Sequence, residues 1–161
     1  MNFRLLLLGA AIPLAAAASP EALPIAPPAD SRLAFTLAAR GVQIYECREQ
    51  AWVFVAPEAV LHDAQERVVG THGAGPTWQL TDGSRVGGSV KARFEAPGGR
   101  EIPWLLLAAG AEPSAPGSMA GIRYIQRLNT RGGLAPAGTC VNQQSVRVAY
   151  TADYLFFRSQ S

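Results

Sequence analysis

Residues 77–95, TWQLTDGSRVGGSVKARFE, carry the strongest fold signal in the sequence. Residues 77–81 fit a short strand that runs into Asp82-Gly83, a dipeptide typical of tight β-hairpin turns. The return strand alternates with a period of two, which separates apolar from polar side chains: Val86, Val90, Ala92 and Phe94 against Ser89, Lys91, Arg93 and Glu95. The stretch therefore predicts a β-hairpin in a sheet that has one solvated face.

The segments on both sides of this hairpin also follow β-type patterns. Residues 42–47 alternate, and residues 102–109 are apolar on both faces, as in a strand buried between two layers. Shorter alternating runs follow at 122–128 and 146–150. Glycine- and proline-containing turns separate these runs at a spacing typical of sandwiches and barrels.

Helix is an alternative in two short segments. Residues 32–39 fit a short helix or a strand, and residues 57–61 fit one helical turn. No longer segment shows a helical period. We therefore predict an all-β protein, with a single β-sandwich or barrel of about seven or eight short, mostly antiparallel strands over residues 31–161.

The N-terminus has the pattern of a secretory signal peptide, residues 1–18. Arg4 supplies a positive charge, residues 5–15 are apolar, and Ala16-Ala17-Ala18 provides the small residues of a cleavage site. The apolar run is shorter than the roughly 20 residues that a membrane-spanning helix needs. We predict a secreted or periplasmic protein with no transmembrane segment after cleavage. Residues 19–30, rich in proline, predict a linker or an arm that follows an edge of the domain.

Charge and cysteine content narrow the classes of partner. The sequence has 14 Lys and Arg residues against 12 Asp and Glu residues, and its arginines are scattered. Because no basic stripe is present, we predict no nucleic-acid binding. Cys47 and Cys140 are the two cysteines, and in an oxidising compartment such a pair is most simply a disulfide. Free thiols or metal ligands are the alternatives.

The Gly-rich loop, residues 69–88, is the best candidate for a binding site. Its six glycines impose a particular backbone path: Gly70, Gly73, Gly75, Gly83, Gly87 and Gly88. His72 is either a general base or ligand anchor, or a histidine that fixes the turn by bonding a carbonyl. Trp78 is either a stacking platform for a ligand or part of the core. If the loop binds a ligand, we expect both side chains to be partly exposed.

Catalysis has weaker support. His72, Asp82 and Ser84 are the residue types of a Ser-His-Asp triad, but no GxSxG motif accompanies them, and a serine after a turn aspartate usually bonds the turn backbone. A second hydrolase arrangement pairs His72 with Asp153. A structural ion pair of Asp153 with Arg127 or Arg123 is the simpler interpretation. We therefore lean towards a protein that is not an enzyme.

A metal site and a buried polar residue complete the candidates. His62, His72, Asp63 and Asp82 are chemically suitable for zinc, but their spacing matches neither H-x-x-x-H nor H-x-H, so we predict no metal site and no cofactor. Gln126 lies on an apolar face of its strand. Its amide must be satisfied there, so it either ties a neighbouring strand or lines a polar pocket.

Several motifs together resemble one secreted family, domain of unknown function 3455. They cover residues 22–157 and are specific in combination: GVQIYEC at 41–47, WVFVAPEAVL at 52–61, VGTHGAGPTWQLTDGSRV at 69–86, IPWLLL at 102–107, IQRLNTRGG at 125–133 and YTADYLFF at 150–157. The resemblance implies an extracytoplasmic domain. It assigns no catalytic residue.

Three functions are consistent with these observations. The favoured one is a non-catalytic binding module for a small molecule, a glycan or an envelope component, with His72, Trp78, Asp82 and Gln126 as candidate binding residues. A hydrolase that uses His72 with Asp82 or Asp153 is the second. The third is a structural surface protein, which a buried His72 and Trp78 with no pocket nearby would favour.

Overall fold

The computed structural model describes residues 24–110 and 116–160. The predicted signal peptide and the first part of the predicted linker lie outside these ranges. Within them, no helix is long and apolar enough to cross a membrane.

Eight β-strands, numbered β1 to β8 in chain order, form the domain over the described residues. Their bounds are β1 Ser31–Arg48, β2 Ala51–His62, β3 Val68–Gly73, β4 Thr77–Leu80, β5 Arg85–Phe94, β6 Trp104–Ala109, β7 Ile122–Gly132 and β8 Ser145–Ser159. Each strand is antiparallel to the next, and β8 pairs with β1, which closes the sheet into a barrel. The all-β prediction is confirmed, and of the two predicted architectures the protein adopts the barrel.

Both segments for which helix was an alternative are strands. Residues 32–39 belong to β1. The helical turn expected at residues 57–61 is wrong, because these residues belong to β2 and pair with β1. This long-range pairing outweighs the local helical preference of the segment. Pro57 is tolerated in the strand because it lies close to a β-bulge, where the register with β1 shifts.

The facing pattern predicted for β5 changes halfway along the strand. The register between β5 and β6 shifts between Val90 and Ala92. Such a bulge reverses the alternation of side chains between the two faces. Val90 and Arg93 pair with core leucines of β6 and face the barrel interior. Ala92 and Phe94 consequently face outward. The prediction that they share a face with Val90 is wrong.

One end of the barrel, which we call the closed end, is blocked by residues 116–121 between β6 and β7. Met119 in this segment is fully buried in the interior core. The Asp82 carboxylate accepts a hydrogen bond from the Ser118 amide at 2.8 Å, and the Ser84 hydroxyl oxygen accepts one from the Met119 amide at 3.1 Å. The turn between β4 and β5 therefore holds this segment in place.

The opposite end, which we call the mouth, is formed by the connections that follow β1, β3, β5 and β7. Cys47, near the end of β1, forms a disulfide with Cys140 in the connection between β7 and β8, with a Cα–Cα distance of 5.8 Å. The predicted disulfide is confirmed. It ties the longest connection at the mouth to the barrel wall.

An N-terminal arm, residues 24–30, lies on the outer face of β7. Ile25 in the arm is fully buried, and the Gln126 side-chain amide donates a hydrogen bond to the Ile25 carbonyl oxygen at 2.8 Å. The arm ends where the Gln160 amide donates to the Asp30 carbonyl oxygen. The buried glutamine thus satisfies its amide by fixing the arm.

Candidate functional site

The barrel interior contains a cavity of about 390 Å³ that opens at the mouth. An eight-stranded barrel is wide enough either to be filled by its own side chains or to hold one small ligand. In this protein core side chains fill the closed end, and the half nearer the mouth is left open. The apolar side chains of the cavity wall include Trp78, Val90, Leu105 and Leu107.

His72 and Trp78 form the centre of the cavity wall. They are directly opposite each other on β3 and β4, and their rings stack with centroids 4.4 Å apart. The Tyr154 ring tilts against His72 at 4.9 Å. His72 is 3% exposed and Trp78 1% exposed, so the partial exposure expected of a binding loop is absent. Both side chains instead point into the barrel and line the cavity.

The protonation state of His72 follows from its surroundings. Its Nδ1 lies 2.8 Å from the Thr77 carbonyl oxygen, which can only accept, so Nδ1 carries the proton and donates. The pKa of His72 is lowered from 6.5 to about 4, chiefly by burial; the hydrogen bond to the Thr77 carbonyl opposes this decrease, and the nearby Arg127 charge contributes to it. The ring is therefore neutral at pH 7. The hydrogen bond from His72 to the Thr77 carbonyl links β3 to β4 across their turn. This contact corresponds to the alternative in which the histidine fixes the turn by bonding a carbonyl.

Two arginines supply the charge of the cavity. Arg127 on β7 and Arg93 on β5 both line it. The Arg127 guanidinium donates to the Pro103 carbonyl oxygen from Nε at 3.1 Å and from Nη2 at 2.7 Å, which fixes its position. Burial raises the pKa of Tyr154, and the neighbouring Arg127 charge partly offsets that rise. Arg127 thus acts electrostatically on the aromatic side chains around it.

Three side chains that line the cavity carry buried polar atoms with no hydrogen-bond partner among the described residues. These atoms are Gln43 Nε2, Trp78 Nε1 and Tyr154 Oη. Buried polar groups are nearly always paired, because an unpaired one costs about 1–3 kcal/mol. These side chains contribute polar groups to a largely apolar wall, and unpaired atoms of the same kind also occur away from the cavity, on His62, Trp104 and Tyr150.

The predicted binding residues fall in three different places. His72 and Trp78 come together in the cavity wall. Asp82 lies at the closed end, where hydrogen bonds from Ser84 and Ser118 hold the pKa of its carboxyl well below the usual range. Gln126 lies on the outer face of β7 under the arm. The structure therefore brings together only the first two of the four.

The carboxylates of the hydrolase alternative do not meet His72. Asp82 is at the far end of β4 from the Thr77 carbonyl that the histidine contacts. Asp153 accepts a hydrogen bond from the Asn129 side chain at 2.8 Å, and not an ion pair from Arg127 or Arg123 as expected. In the described residues, no group of three or more His, Cys, Asp and Glu side chains is placed to hold a metal ion.

Four polar residues of the cavity wall were not predicted from the sequence: Gln43, Arg93, Arg127 and Tyr154. Arg93 was hidden by the bulge in β5, which no simple alternation reveals. Arg127 lies on the face of β7 opposite to Gln126; because the arm covers the apolar face that contains Gln126, alternation alone did not identify the face of Arg127 as the inner one. One residue could have been predicted: Tyr154 alternates with Tyr150 and Ala152 along the YTADYLFF motif, a pattern that indicates the inner face of the strand.

Comparison with known proteins gives a family and nothing finer. The family described as Protein of unknown function (DUF3455) matches residues 28–158, so the chain belongs to that family. No curated protein and no solved structure matches the chain significantly.

Proposed function

Because the family brings no activity with it, we propose from the geometry of the cavity that this protein is a small-molecule-binding barrel that acts outside the cytoplasm. The observation that carries the proposal is the cavity of about 390 Å³ at the mouth, whose wall combines apolar side chains with the polar side chains of Gln43, Arg127 and Tyr154. Ligand sites are typically apolar concavities of about 300–1,000 Å³ with a few convergent polar groups.

The mouth supports access by an apolar molecule. Phe54, Val55 and Val90 line the cavity and are 50%, 41% and 40% exposed. Large apolar side chains are normally withdrawn from water, and a group of them at the rim of a cavity is typical of a ligand-binding opening. The disulfide at the mouth is consistent with the predicted secreted or periplasmic location, where such bonds persist.

The structural alternative depended on a buried His72 and Trp78 with no pocket nearby. Both residues are buried, but a cavity lies against them. The hydrolase alternative gains no observation, because neither of its carboxylates contacts His72. A non-catalytic binding role therefore remains the best-supported function.

A neutral fluorescent probe tests the proposal. We expect N-phenyl-1-naphthylamine to bind saturably to the mature protein with increased emission. Val90→Phe, which narrows the cavity at its rim, should weaken probe binding roughly tenfold or more. Val68→Phe is the matched control, because Val68 is 60% exposed on β3 and does not line the cavity. Failure of the parent to bind the probe, or equal losses in both variants, would contradict the proposal.

A further inference from the structure

The charge inside the cavity indicates the class of ligand. Arg127 is half-buried and fixed by its two hydrogen bonds to the Pro103 carbonyl oxygen. A guanidinium has five N–H groups arranged in a planar fork, so two donated bonds leave the others available. The Arg127 side chain is therefore held as a positioned donor in the cavity wall.

No counter-charge for this arginine is present among the described residues. None of their carboxylates lies within salt-bridge distance of Arg127 or Arg93. All four ion pairs of the described chain lie elsewhere: Arg40–Glu66, Arg48–Glu46, Arg67–Asp63 and Arg147–Glu58. His72 does not supply a negative charge either, since it is a neutral ring. The cavity thus carries positive charge alone.

A second hollow, lined by residues of β1–β4 and β8, provides a contrast within the same molecule. It is also lined by two arginines, Arg40 and Arg147. Each of these pairs with a glutamate, Glu66 and Glu58 respectively. Both arginines of this hollow therefore have a glutamate partner, whereas neither arginine of the cavity has a carboxylate partner among the described residues.

We propose that the cavity binds an organic monocarboxylate with an apolar body, and that Arg127 binds its carboxylate. A partly buried guanidinium is stabilised by an anionic partner, and a carboxylate matches the planar fork of arginine. The apolar body would lie against Leu105, Leu107, Val90 and the Trp78 ring. Arg93, nearer the rim, would attract the anion to the mouth. This inference rests on the proposed function of the cavity and specifies the ligand of that same site.

The test compares each carboxylate with its neutral amide, which has nearly the same shape. Decanoate against decanamide represents a flexible apolar body, and 1-naphthylacetate against 1-naphthylacetamide represents a planar one. All four are measured at pH 7 by displacement of N-phenyl-1-naphthylamine from the mature protein. We expect at least one carboxylate to bind roughly tenfold or more tightly than its amide, and the better pair shows which body the cavity accepts.

Variants assign the preference to the residue. Arg127→Gln should weaken carboxylate binding roughly tenfold or more and leave the amides and the neutral probe within about twofold. Arg127→Lys, which keeps the charge, should retain most of the preference. Arg123→Gln makes the same charge change at an exposed position of β7 that does not line the cavity, and should change nothing.

The outcomes separate this inference from the function on which it rests. If the neutral probe binds but each carboxylate binds no better than its amide, the carboxylate assignment is wrong and the cavity function stands. The same holds if Arg127→Gln weakens acid and amide equally. The comparison within the parent protein decides the matter even if an Arg127 variant does not fold. If the probe itself fails to bind, both proposals are wrong.

Discussion

At the scale of single residues, His72 links the stability of the protein to pH. Its ring is packed between Trp78 and Tyr154 and bonded to the Thr77 carbonyl, so the folded protein holds it neutral. In the unfolded chain the same ring would titrate with an ordinary pKa near 6.5. The two states therefore bind different numbers of protons in mildly acidic solution.

We predict that His72 makes the protein less stable as the pH falls. Because burial lowers the pKa of His72 from 6.5 to about 4, the unfolded chain binds a proton between these values and the folded protein does not. Stability therefore falls from about pH 6.5 downward, by about 2 to 3 kcal/mol at pH 4.5. Urea unfolding at pH 7.5 and 4.5 measures the loss. Between pH 7.5 and 4.5, the free energy of unfolding of His72→Gln should fall by about 2 to 3 kcal/mol less than that of the parent. Equal decreases in parent and variant would contradict the prediction.

Residue positions in β7 show where sequence reasoning has a physical limit. Alternation of apolar and polar residues identifies the inner face of a strand only if the outer face is exposed to solvent. Residues 24–30 cover the outer face of β7, so Gln126 on that face is buried. Arg127 lies on the inner face and is only half-buried. The sequence could not predict this cover, because it depends on a segment more than ninety positions away along the chain.

At the scale of elements, β3 contains two glycines with different structural requirements. A Cβ at Gly70 would lie 2.9 Å from Leu80 Cδ2 and closer still to the Gln79 carbonyl oxygen. A Cβ at Gly73 would meet nothing within 4 Å. Close approach of β4 therefore explains the first glycine and not the second.

These two positions give a matched test of strand packing. Gly70→Ala should lower the free energy of unfolding by about 1–3 kcal/mol, because β4 must move away to admit the methyl group. Gly73→Ala has room and no positive φ, so it should be neutral or stabilise the protein by less than about 1 kcal/mol. Chemical denaturation of both variants gives the comparison. A loss at Gly73 as large as that at Gly70 would be inconsistent with this account.

The strands themselves were largely predictable, while their irregularities were not. The turn signal at Asp82-Gly83 and the alternation around it identified the β4–β5 hairpin. The bulge in β5 and the strand character of residues 57–61 depend on partners from β6 and β1, which local patterns do not specify. The alternation predicted Arg93 on the solvated face of β5, whereas the bulge places it at the cavity.

At the scale of the whole molecule, the disulfide should contribute substantially to stability. It joins residues 93 positions apart, and in the chain-entropy model a loop of that length is worth about 4 kcal/mol. We expect the double variant Cys47→Ser, Cys140→Ser to unfold with about 2–4 kcal/mol less free energy than the parent. Dithiothreitol should destabilise the parent to a similar extent and leave the double variant unchanged. Equal stability of parent and double variant would refute the estimate.

The pairing of the first strand with the last has a consequence for the order in which the molecule is completed. Ser31 is opposite Ser159, and contacts that join such distant parts of a chain form slowly, because the whole intervening loop must close first. Until β8 has been synthesised, β1 exposes a long unpaired edge. A chain that lacks the 15 residues of β8 cannot enclose the cavity, so the proposed ligand binding should require this strand.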